Sequence, residues 1–405
     1  MQRANHPVSI PLIGLLLFIV GAGPVWADNR PSVELRYTGS RLTDDDDLEH
    51  DRFSFYADDE VSLFSLQNGF ITSDAKAAVL GDVDHVDPQR ELRFRELYFD
   101  LLAGNFSLRA GLQDVTWSET FGFFIADIVN PRDLRDPLYL DPRYARLPVA
   151  ALKPQLTLGN VTIQGVLTPV AHNTLYSSAP FNGLPVLPAP SIEIHDYPQD
   201  LEGGGRVEAL LFDKLDSAIF YYHHLSRNFA GEEVATSSGP ALLEIAEKVD
   251  SYGLTSSYAL ESIVFREDLV ITPHQPMSDT DLGAVRHNNA IQSILGVDYS
   301  STDDFTVGLQ YQYETHPGAF HWISTKISKK FAAQKLQPEL FVFQGIGNHD
   351  LWVEPQLTWF ASDRLTVSAR YDLVDAKTQE TGDFVGYLSS LRDNDRVLAE
   401  VSYKF

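Results

Sequence analysis

Arginine and aspartate residues are mixed within residues 127–146. They are Arg132, Arg135, Arg143 and Arg146, together with Asp127, Asp133, Asp136 and Asp141. Opposed charges across a narrow passage of low dielectric constant create a transverse field, which orders water and sorts solutes. If the same side chains paired with one another, they would only fasten the segment to its surroundings. The residue types therefore predict either a solute-selecting constriction or a set of structural ion pairs.

The segment that carries these charges, residues 116–151, begins too apolar for a loop that stands in water. Its first half contains Phe121, Phe123, Phe124, Ile125, Ile128 and Val129, and four prolines stiffen its second half. Leaving such apolar surface in water costs about 25 cal/mol per Å². We therefore expect Trp117 and residues 121–125 to be buried in or against the interior of the surrounding structure.

Other candidate sites are weak. His223 and His224 are adjacent in a predicted strand, so they point to opposite faces and cannot share a metal ion. Gly203–Gly205 precedes a strand without a following Gly-Lys-Ser/Thr, which favours a flexible start of the strand over a phosphate loop. The run Asp44–Asp47 could bind calcium or the divalent ions that bridge lipopolysaccharide, but it lacks the spaced ligands and glycine of a calcium loop. We predict no metal site and no cofactor.

Enzymatic chemistry is not indicated. The chain has 0 cysteines, which excludes disulfides and thiolate catalysis. A hydrolytic enzyme such as a phospholipase or protease would need a nucleophile or acid beside a histidine and a carboxylate. No local spacing of Ser, His and Asp indicates such a set, although distant strands could assemble one. We predict no catalytic residues.

The segments that must position the charged loop have the period of β-strands. Phe305, Val307, Leu309, Tyr311 and Tyr313 alternate with Thr306, Gly308, Gln310 and Gln312. This is the alternation of a transmembrane strand, apolar toward lipid and polar toward the lumen. Comparable segments occur at about 32–41, 52–66, 73–82, 92–102, 106–115, 152–158, 161–168, 205–212, 217–226, 250–258, 262–272, 290–300, 320–330, 337–345, 351–360, 365–375 and 396–405. We predict an all-β fold, a transmembrane antiparallel barrel of about eighteen strands (16–18) with an inward-folded third external loop.

The lengths of the connections agree with this topology. Short turns are predicted at 103–105, 159–160, 213–216, 300–304 and 361–364, and long connections at 169–204, 227–249, 273–289 and 376–395. In outer-membrane barrels the turns are periplasmic and the long loops are external. An even strand count places all five turns on one side, all four long connections on the other, and both termini in the periplasm. Within one long connection, Pro240 to Lys248 has the pattern of a short amphipathic helix over the mouth.

The last ten residues form a strand with one apolar face. Val397, Ala399, Val401, Tyr403 and Phe405 alternate with more polar positions. Such a strand would aggregate as a free edge, and pairing with the first strand would close a barrel. It resembles the carboxyl-terminal strand of bacterial outer-membrane barrels, whose final Phe is read by the barrel assembly machinery. An ordinary edge strand of a periplasmic sandwich is the alternative.

The amino-terminal residues 1–27 are predicted to be a cleavable secretory signal. Arg3 precedes an apolar run from Ile10 to Val20, and Val25-Trp26-Ala27 fits a cleavage site. The alternative is a membrane-anchoring helix, but glycines and prolines break the run, which falls short of the roughly 20 apolar residues of a span. Residues 28–405 are the predicted barrel. The net charge of −25 argues against nucleic acid as a partner.

At the charged loop the sequence resembles a family of proteobacterial porin-like outer-membrane proteins, most of them uncharacterised. Their motif is approximately Gly-Arg-Gln, then Trp-Gly-Glu, Asn-Pro-x-Asp-Leu-Arg and Arg-x-Pro. The matches are Gly111, Gln113, Trp117, Glu119, Asn130-Pro131-Arg132-Asp133-Leu134-Arg135 and Arg146-Leu147-Pro148. Leu112 and Ser118 depart from it, since the family favours Arg and Gly there. The resemblance covers about residues 106–154 and implies a barrel with an inserted loop, with no known substrate.

These observations predict a porin-like outer-membrane channel of a Gram-negative bacterium, through which small polar or cationic solutes diffuse passively. The residues expected at its constriction are Trp117, Glu119, Asp127, Asn130, Arg132, Asp133, Arg135, Asp136, Arg143 and Arg146. The expected partners are outer-membrane lipid and lipopolysaccharide, the assembly machinery through Phe405, and small solutes. The alternative is a non-conducting barrel that serves as an interaction or assembly scaffold.

Overall fold

The structure, a computed structural model, describes most of the chain beyond residue 31. The described residues are 32–42, 48–59, 65–68, 71–84, 90–134, 145–169, 174–176, 186–187, 201–227, 230–236, 239–245, 247–278, 285–315, 319–347, 350–375 and 395–404. The predicted signal at 1–27, the acidic run Asp44–Asp47 and the terminal Phe405 lie outside them. Within these ranges, no helix is long and apolar enough to cross a membrane.

The described part of the chain is built from β-strands. The first eight are β1 (Ser32–Leu42), β2 (Leu48–Asp59), β3 (Ser65–Asn68), β4 (Ile71–Asp84), β5 (Arg90–Ala103), β6 (Phe106–Gln113), β7 (Asp133–Leu134) and β8 (Val149–Leu158). The next eight are β9 (Val161–Thr168), β10 (Leu175–Tyr176), β11 (Val186–Leu187), β12 (Glu202–Leu211), β13 (Leu215–Leu225), β14 (Gly231–Thr236), β15 (Gly239–Glu244) and β16 (Lys248–Leu260). The last eight are β17 (Ile263–Ser278), β18 (Val285–Ser300), β19 (Phe305–Glu314), β20 (Phe320–Lys329), β21 (Leu336–Gly345), β22 (Leu351–Phe360), β23 (Leu365–Asp375) and β24 (Arg396–Lys404).

Nineteen of these strands form one antiparallel main sheet. Each long strand pairs with the long strands before and after it along the chain, for example β8 with β6 and β9. Strand β1 is hydrogen-bonded to β2 on one side and to β24 on the other, with Glu34 opposite Lys404 and Leu42 opposite Arg396. The predicted all-β, antiparallel class is therefore confirmed.

The two faces of the main sheet have opposite polarity. On β19 the side chains of Leu309 and Tyr311 are exposed, whereas those of Gln310 and Gln312, which alternate with them, are buried. On β13 the exposed fraction is 62% for Ile219 and 5% for Phe220. We call the exposed apolar face the outer face and the opposite one the inner face.

The outer face forms a continuous apolar band because the strand registers align its residues. Tyr258 lies opposite Phe265, Phe265 opposite Val297, and Val297 opposite Leu309 on four successive strands. A protein in water buries such residues. Here the large apolar side chains face outward, and many polar side chains are buried on the inner face.

Several details differ from the sequence prediction. The long connection predicted at 273–289 is shorter, because β17 continues to Ser278 and β18 begins at Val285. The predicted second strand at 52–66 is divided into β2 and β3, which pair with different parts of β4. The helix predicted at Pro240 to Lys248 is wrong. Its first half forms β15, which pairs antiparallel with β14 and parallel with β11 in a small separate sheet. The residues of the amphipathic pattern pair with β14 and β11 instead of forming a helix. Both partner strands are separate segments, and the local pattern does not identify them.

Candidate functional site

The connection between β6 and β8 contacts the inner face of the main sheet. Its described residues, 114–134 and 145–148, are called the inner loop. Val115, Trp117, Ile125, Ala126, Ile128 and Val129 of this loop belong to one buried cluster with residues of β8, β9, β13, β17 and β18. The apolar half of the loop therefore packs against the inner face of the main sheet.

Trp117 fixes the start of the inner loop. Its indole ring is 1% exposed and lies 5.1 Å from the ring of Phe220 and 5.8 Å from that of Tyr222, both on β13. Its Nε1 donates a hydrogen bond of 2.9 Å to Oε1 of Gln164 on β9. Gly253 on β16 leaves room for the Phe220 ring, because a Cβ there would lie 2.0 Å from its Cζ. A buried tryptophan with a paired N–H is a stable anchor.

Asp268 on β17 holds the next three residues of the inner loop. Its buried carboxylate accepts hydrogen bonds from the backbone N–H of Glu119 at 3.0 Å and of Thr120 at 3.4 Å. It also accepts from the hydroxyls of Ser118 and, at 2.7 Å, of Thr120. Hydrogen bonds to an ionised acceptor are roughly twice as strong as neutral ones. Asp268 was not among the predicted site residues.

Glu119 points toward two arginines of the inner face. Its carboxylate lies 3.5 Å from Nη2 of Arg206 on β12 and 3.6 Å from Nη1 of Arg266 on β17. Arg266 also binds Asp298 on β18 at 2.7 Å. Burial raises the pKa of Glu119, and the positive charge of Arg206 opposes that rise. The Glu119 side chain remains 24% exposed, so this predicted site residue is accessible and its charge is adjustable.

Asp127 is a structural acceptor within the inner loop. Its Oδ1 accepts the backbone N–H of Trp117 at 2.6 Å and of Ser118 at 2.8 Å. Its Oδ2 lies 2.7 Å from Nη1 of Arg146, which also stacks over the Phe124 ring at 5.2 Å. These two predicted site residues are paired with each other and fasten the two ends of the loop.

Asn130 and Arg132 also join parts of the loop. Asn130 accepts the N–H of Val115 at 2.8 Å and donates to the carbonyl of Leu147 at 2.7 Å. The Arg132 side chain donates to the carbonyl of Phe124, and its backbone forms an isolated bridge with that of Arg146.

The remaining predicted residues divide into two groups. Asp133 lies in β7, which pairs parallel with β10. Arg135, Asp136 and Arg143 lie outside the described residues.

A second ion pair supports the loop from the sheet side. The guanidinium of Arg227 donates to the carbonyls of Ile128 and Val129 at 3.2 and 3.0 Å, and binds Glu202 at 2.7 Å. Both charged side chains are at least 91% buried. Sequence reasoning missed this pair; the only signal was that each residue stands at the end of a strand.

The tip of the inner loop reaches the opposite part of the sheet. Five inward aromatic residues of β20, β21 and β22 form what we call the aromatic wall: Phe320, Trp322, Phe341, Phe343 and Trp352. Phe121 and Phe123 pack against it, with the Phe123 ring 5.1 Å from that of Phe343. Phe121 also fits over Gly308 of β19, where a Cβ would lie 2.6 Å from its Cε1. The loop therefore contacts the inner face from β9 to β22.

The arrangement combines two kinds of charge. Asp127 with Arg146, and Glu202 with Arg227, are close pairs that hold the loop in place. Glu119 is different, because its two arginine contacts are long and its side chain is partly exposed. Among the described charges named here, the close pairs are structural, whereas the Glu119 carboxylate remains partly exposed.

Comparison with known proteins adds information on the fold alone. No protein-family model matches the chain, and no curated protein matches it by sequence. Its fold is similar to crystal structures of Pseudomonas aeruginosa OccK10 (OpdN), OccK3 (OpdO) and OccK5 (OpdH), which are outer-membrane porins. OccK10 has a TM-score of 0.56 and 9% identity over 94% of this chain and 99% of that chain. OccK3 has a TM-score of 0.56 and 12% identity over 93% of this chain and 96% of that chain. OccK5 has a TM-score of 0.53 and 12% identity over 93% of this chain and 98% of that chain.

Proposed function

We propose that the chain is a porin-like outer-membrane channel for the passive diffusion of small polar or cationic solutes. The observation that carries this proposal is the reversed polarity of the main sheet, apolar outside and polar inside. An outward apolar surface is stable in lipid, and polar inward side chains suit a water-filled lumen. The similarity to outer-membrane porin folds agrees with this assignment.

The proposed barrel has about eighteen strands and closes where β1 pairs with β24. Support comes from the double pairing of β1, which leaves neither β1 nor β24 as a free edge. The start of β1 and the end of β24 lie at the end of the sheet that carries the short turns, since Glu34 is opposite Lys404 and Tyr403 is opposite Leu365, directly after the turn 361–364. We assign that end to the periplasm. The long connections then face outward, and lipopolysaccharide is the expected surrounding of that end.

The proposed constriction is residues 116–151. Within an eighteen-strand wall the side chains alone leave a lumen, and a loop anchored from β9 to β22 narrows it. The passage is bordered by Glu119, Arg206 and Arg266 on the described side. The net charge of −25 raises the concentration of cations at the mouth, which favours cations and neutral polar solutes over anions.

Planar-bilayer recording of the purified protein tests this function. The wild-type protein should form ohmic channels with a cation preference. Deletion of Asp133 to Arg146 should raise the unit conductance and weaken the selectivity, because part of the loop is removed. Retention of heat-modifiable migration in gels is the control for a folded barrel.

A scaffold without conduction is the second candidate function. The specific observation in its favour is that Asp127, Arg146, Glu202 and Arg227 are used to fasten the loop. A folded wild-type protein without conductance, which also stays closed after the deletion, would establish the scaffold and reject the channel.

A further inference from the structure

The aromatic wall and the neighbouring strand β19 contain buried polar atoms without a hydrogen-bond partner. Among the described residues, Nε1 of Trp322 and of Trp352 and both amide atoms of Gln310 have no hydrogen-bond partner. The three side chains are at least 95% buried. Buried indole N–H groups usually find an acceptor, and unpaired buried polar groups are rare in native proteins. Two such indoles and one amide on adjacent inward positions therefore point to a ligand.

The strand registers place these groups on one strip of the inner face. Gln310 lies opposite Ser324 of β20, Ser324 opposite Phe343 of β21, and Phe343 opposite Trp352 of β22. Trp322 lies two residues from Ser324 on the same face, and its ring stacks with Phe320 at 5.5 Å and with Phe343 at 5.9 Å. The strip thus offers aromatic rings with two donors and one amide between them.

The charges around this strip are already used. On β20 and β21, Nζ of Lys326 binds Oε1 of Glu339 at 2.7 Å. On β22, Glu354 lies 3.6 Å from Nε of Arg370. These four described charges are therefore paired, and the strip itself offers rings, N–H donors and an amide.

We propose that this strip is a binding subsite for neutral saccharides, a deepening that rests on the proposed channel function. A sugar ring has apolar C–H faces that pack on aromatic side chains, and its hydroxyls can accept from Trp322 and Trp352. The amide of Gln310 can donate to one hydroxyl and accept from the next. An aromatic hydrocarbon would leave these polar atoms unpaired, and a carboxylate would find the described cations beside the strip, Lys326 and Arg370, already paired. Pockets of aromatic residues with a few placed polar groups are typical of small-molecule sites.

The tip of the inner loop covers the subsite in this structure. Phe121 and Phe123 pack on the aromatic wall, so a saccharide must displace them to reach it. The observed affinity for the saccharide then equals the affinity of the uncovered site multiplied by the fraction of molecules in which the tip is displaced. Removing the two rings should tighten binding, whereas removing the indole N–H groups should weaken it.

The experiment uses the full-length protein in detergent and in bilayers, with trehalose as the probe. Tryptophan fluorescence reports binding, and conductance reports block. Glycerol serves as a polyol without a ring face, and glucuronate as a ring that carries a charge. Trp322→Phe and Trp352→Phe keep an aromatic ring and remove one N–H each. The matched control is Trp359→Phe, since Trp359 lies on β22 with Trp352 but faces outward and is 50% exposed.

Trehalose should quench the fluorescence and reduce the conductance with saturation, and glycerol should do neither. Each of the two inward variants should weaken the apparent affinity by about two- to tenfold, the value of one neutral hydrogen bond. Trp359→Phe should leave it unchanged, and Phe121→Ala with Phe123→Ala should strengthen it. Heat-modifiable migration confirms that each variant is folded.

Three results would overturn the subsite. They are a trehalose response equal to that of glycerol, an affinity unchanged by both inward variants, and tighter binding of glucuronate than of trehalose. The channel and the subsite fail separately. Fluorescence saturation without conductance would retain the subsite and reject the channel, whereas conductance without saturation would retain the channel and reject the subsite.

Discussion

The root and the tip of the inner loop are held in different ways. At the root, Asp268 and Asp127 accept defined hydrogen bonds from residues 117–120, and Arg146 completes the set. At the tip, Phe121 and Phe123 rest on the aromatic wall without a directional bond of their side chains. Directional bonds to buried charges fix one geometry, whereas apolar packing tolerates several.

This difference gives the root and the tip of the inner loop different functions. The root determines where the loop lies in the interior, because breaking it exposes buried polar groups. The tip determines how far the loop extends across the interior, because its contact surface can be given up at a smaller cost. Substitutions at the root should therefore affect the docking of the whole loop, and substitutions at the tip only the width of the proposed passage.

The largest effect is expected for Asp268→Ala. The substitution removes a carboxylate that accepts four hydrogen bonds and leaves two backbone N–H groups of the loop without it. With hydrogen bonds to charged groups worth about 1.5–3 kcal/mol each, docking of the loop should lose at least about 3 kcal/mol. The unit conductance should rise strongly, and protease should cleave the loop between residues 118 and 124.

Asp100→Ala is the matched control for this experiment. Asp100 lies on β5 on the same face as the buried Tyr98, and its ion pair is with Arg109 of the neighbouring strand β6 rather than with the loop backbone. It should change conductance much less. If Asp268→Ala left conductance and protease resistance at wild-type levels, the root would not be what positions the loop.

A smaller effect is expected for Gly308→Val at the tip. The new side chain would occupy the space of the Phe121 ring, because even its Cβ would be 2.6 Å from Phe121 Cε1. Displacing that ring costs about 1–3 kcal/mol and moves the tip without breaking the bonds at Asp268. Conductance should rise moderately, with more frequent current fluctuations.

Gly296→Ala is the corresponding control. A Cβ at Gly296 meets the flexible Gln310 side chain at 3.3 Å, not the loop. Combining Gly308→Val with Phe121→Ala should cancel most of the effect in a double-mutant cycle. Additive effects of the two substitutions would contradict the contact.

The sequence could predict the path of the inner loop but not its anchors. The apolar residues from Phe121 to Val129 in a connection between strands indicate burial, since they would be unstable in water. Asp268 follows the loop by about 150 residues and is one of many polar inward residues in the strands. Its role depends on a contact between distant segments, which alternation alone does not reveal.

The same reason explains the other differences. Arg227 pairs with Glu202 across 25 residues, and it donates to the carbonyls of Ile128 and Val129, which lie 99 and 98 residues earlier in the chain. Gly308 looks like any small residue on a polar face, and its function as a seat for Phe121 depends on the loop above it. Local patterns predict strands and faces, and they do not predict which distant side chains meet.

The smallest effect is expected for Glu119→Gln, which tests the exposed charge between root and tip. The pKa of Glu119 is raised above its usual value of 4.5, first by burial, with Arg206 opposing. The carboxylate therefore takes up a proton at a higher pH than an ordinary glutamate, and the passage beside Arg206 and Arg266 becomes more positive. Cation selectivity of the wild type should decline by about twofold or less as pH falls from 7, and the decline should begin above the pH at which an ordinary glutamate takes up its proton. Glu119→Gln should show the reduced selectivity at pH 7 and lack this step, as measured by reversal potentials in a salt gradient.

Asp303→Asn is the control, because Asp303 lies in an exposed short turn where its hydrogen bond with Lys329 lowers its pKa, away from this pH window. Equal selectivity of wild type and Glu119→Gln across the range would show that Glu119 serves only to hold the loop, and that the charges of the inner loop do not sort solutes at this point.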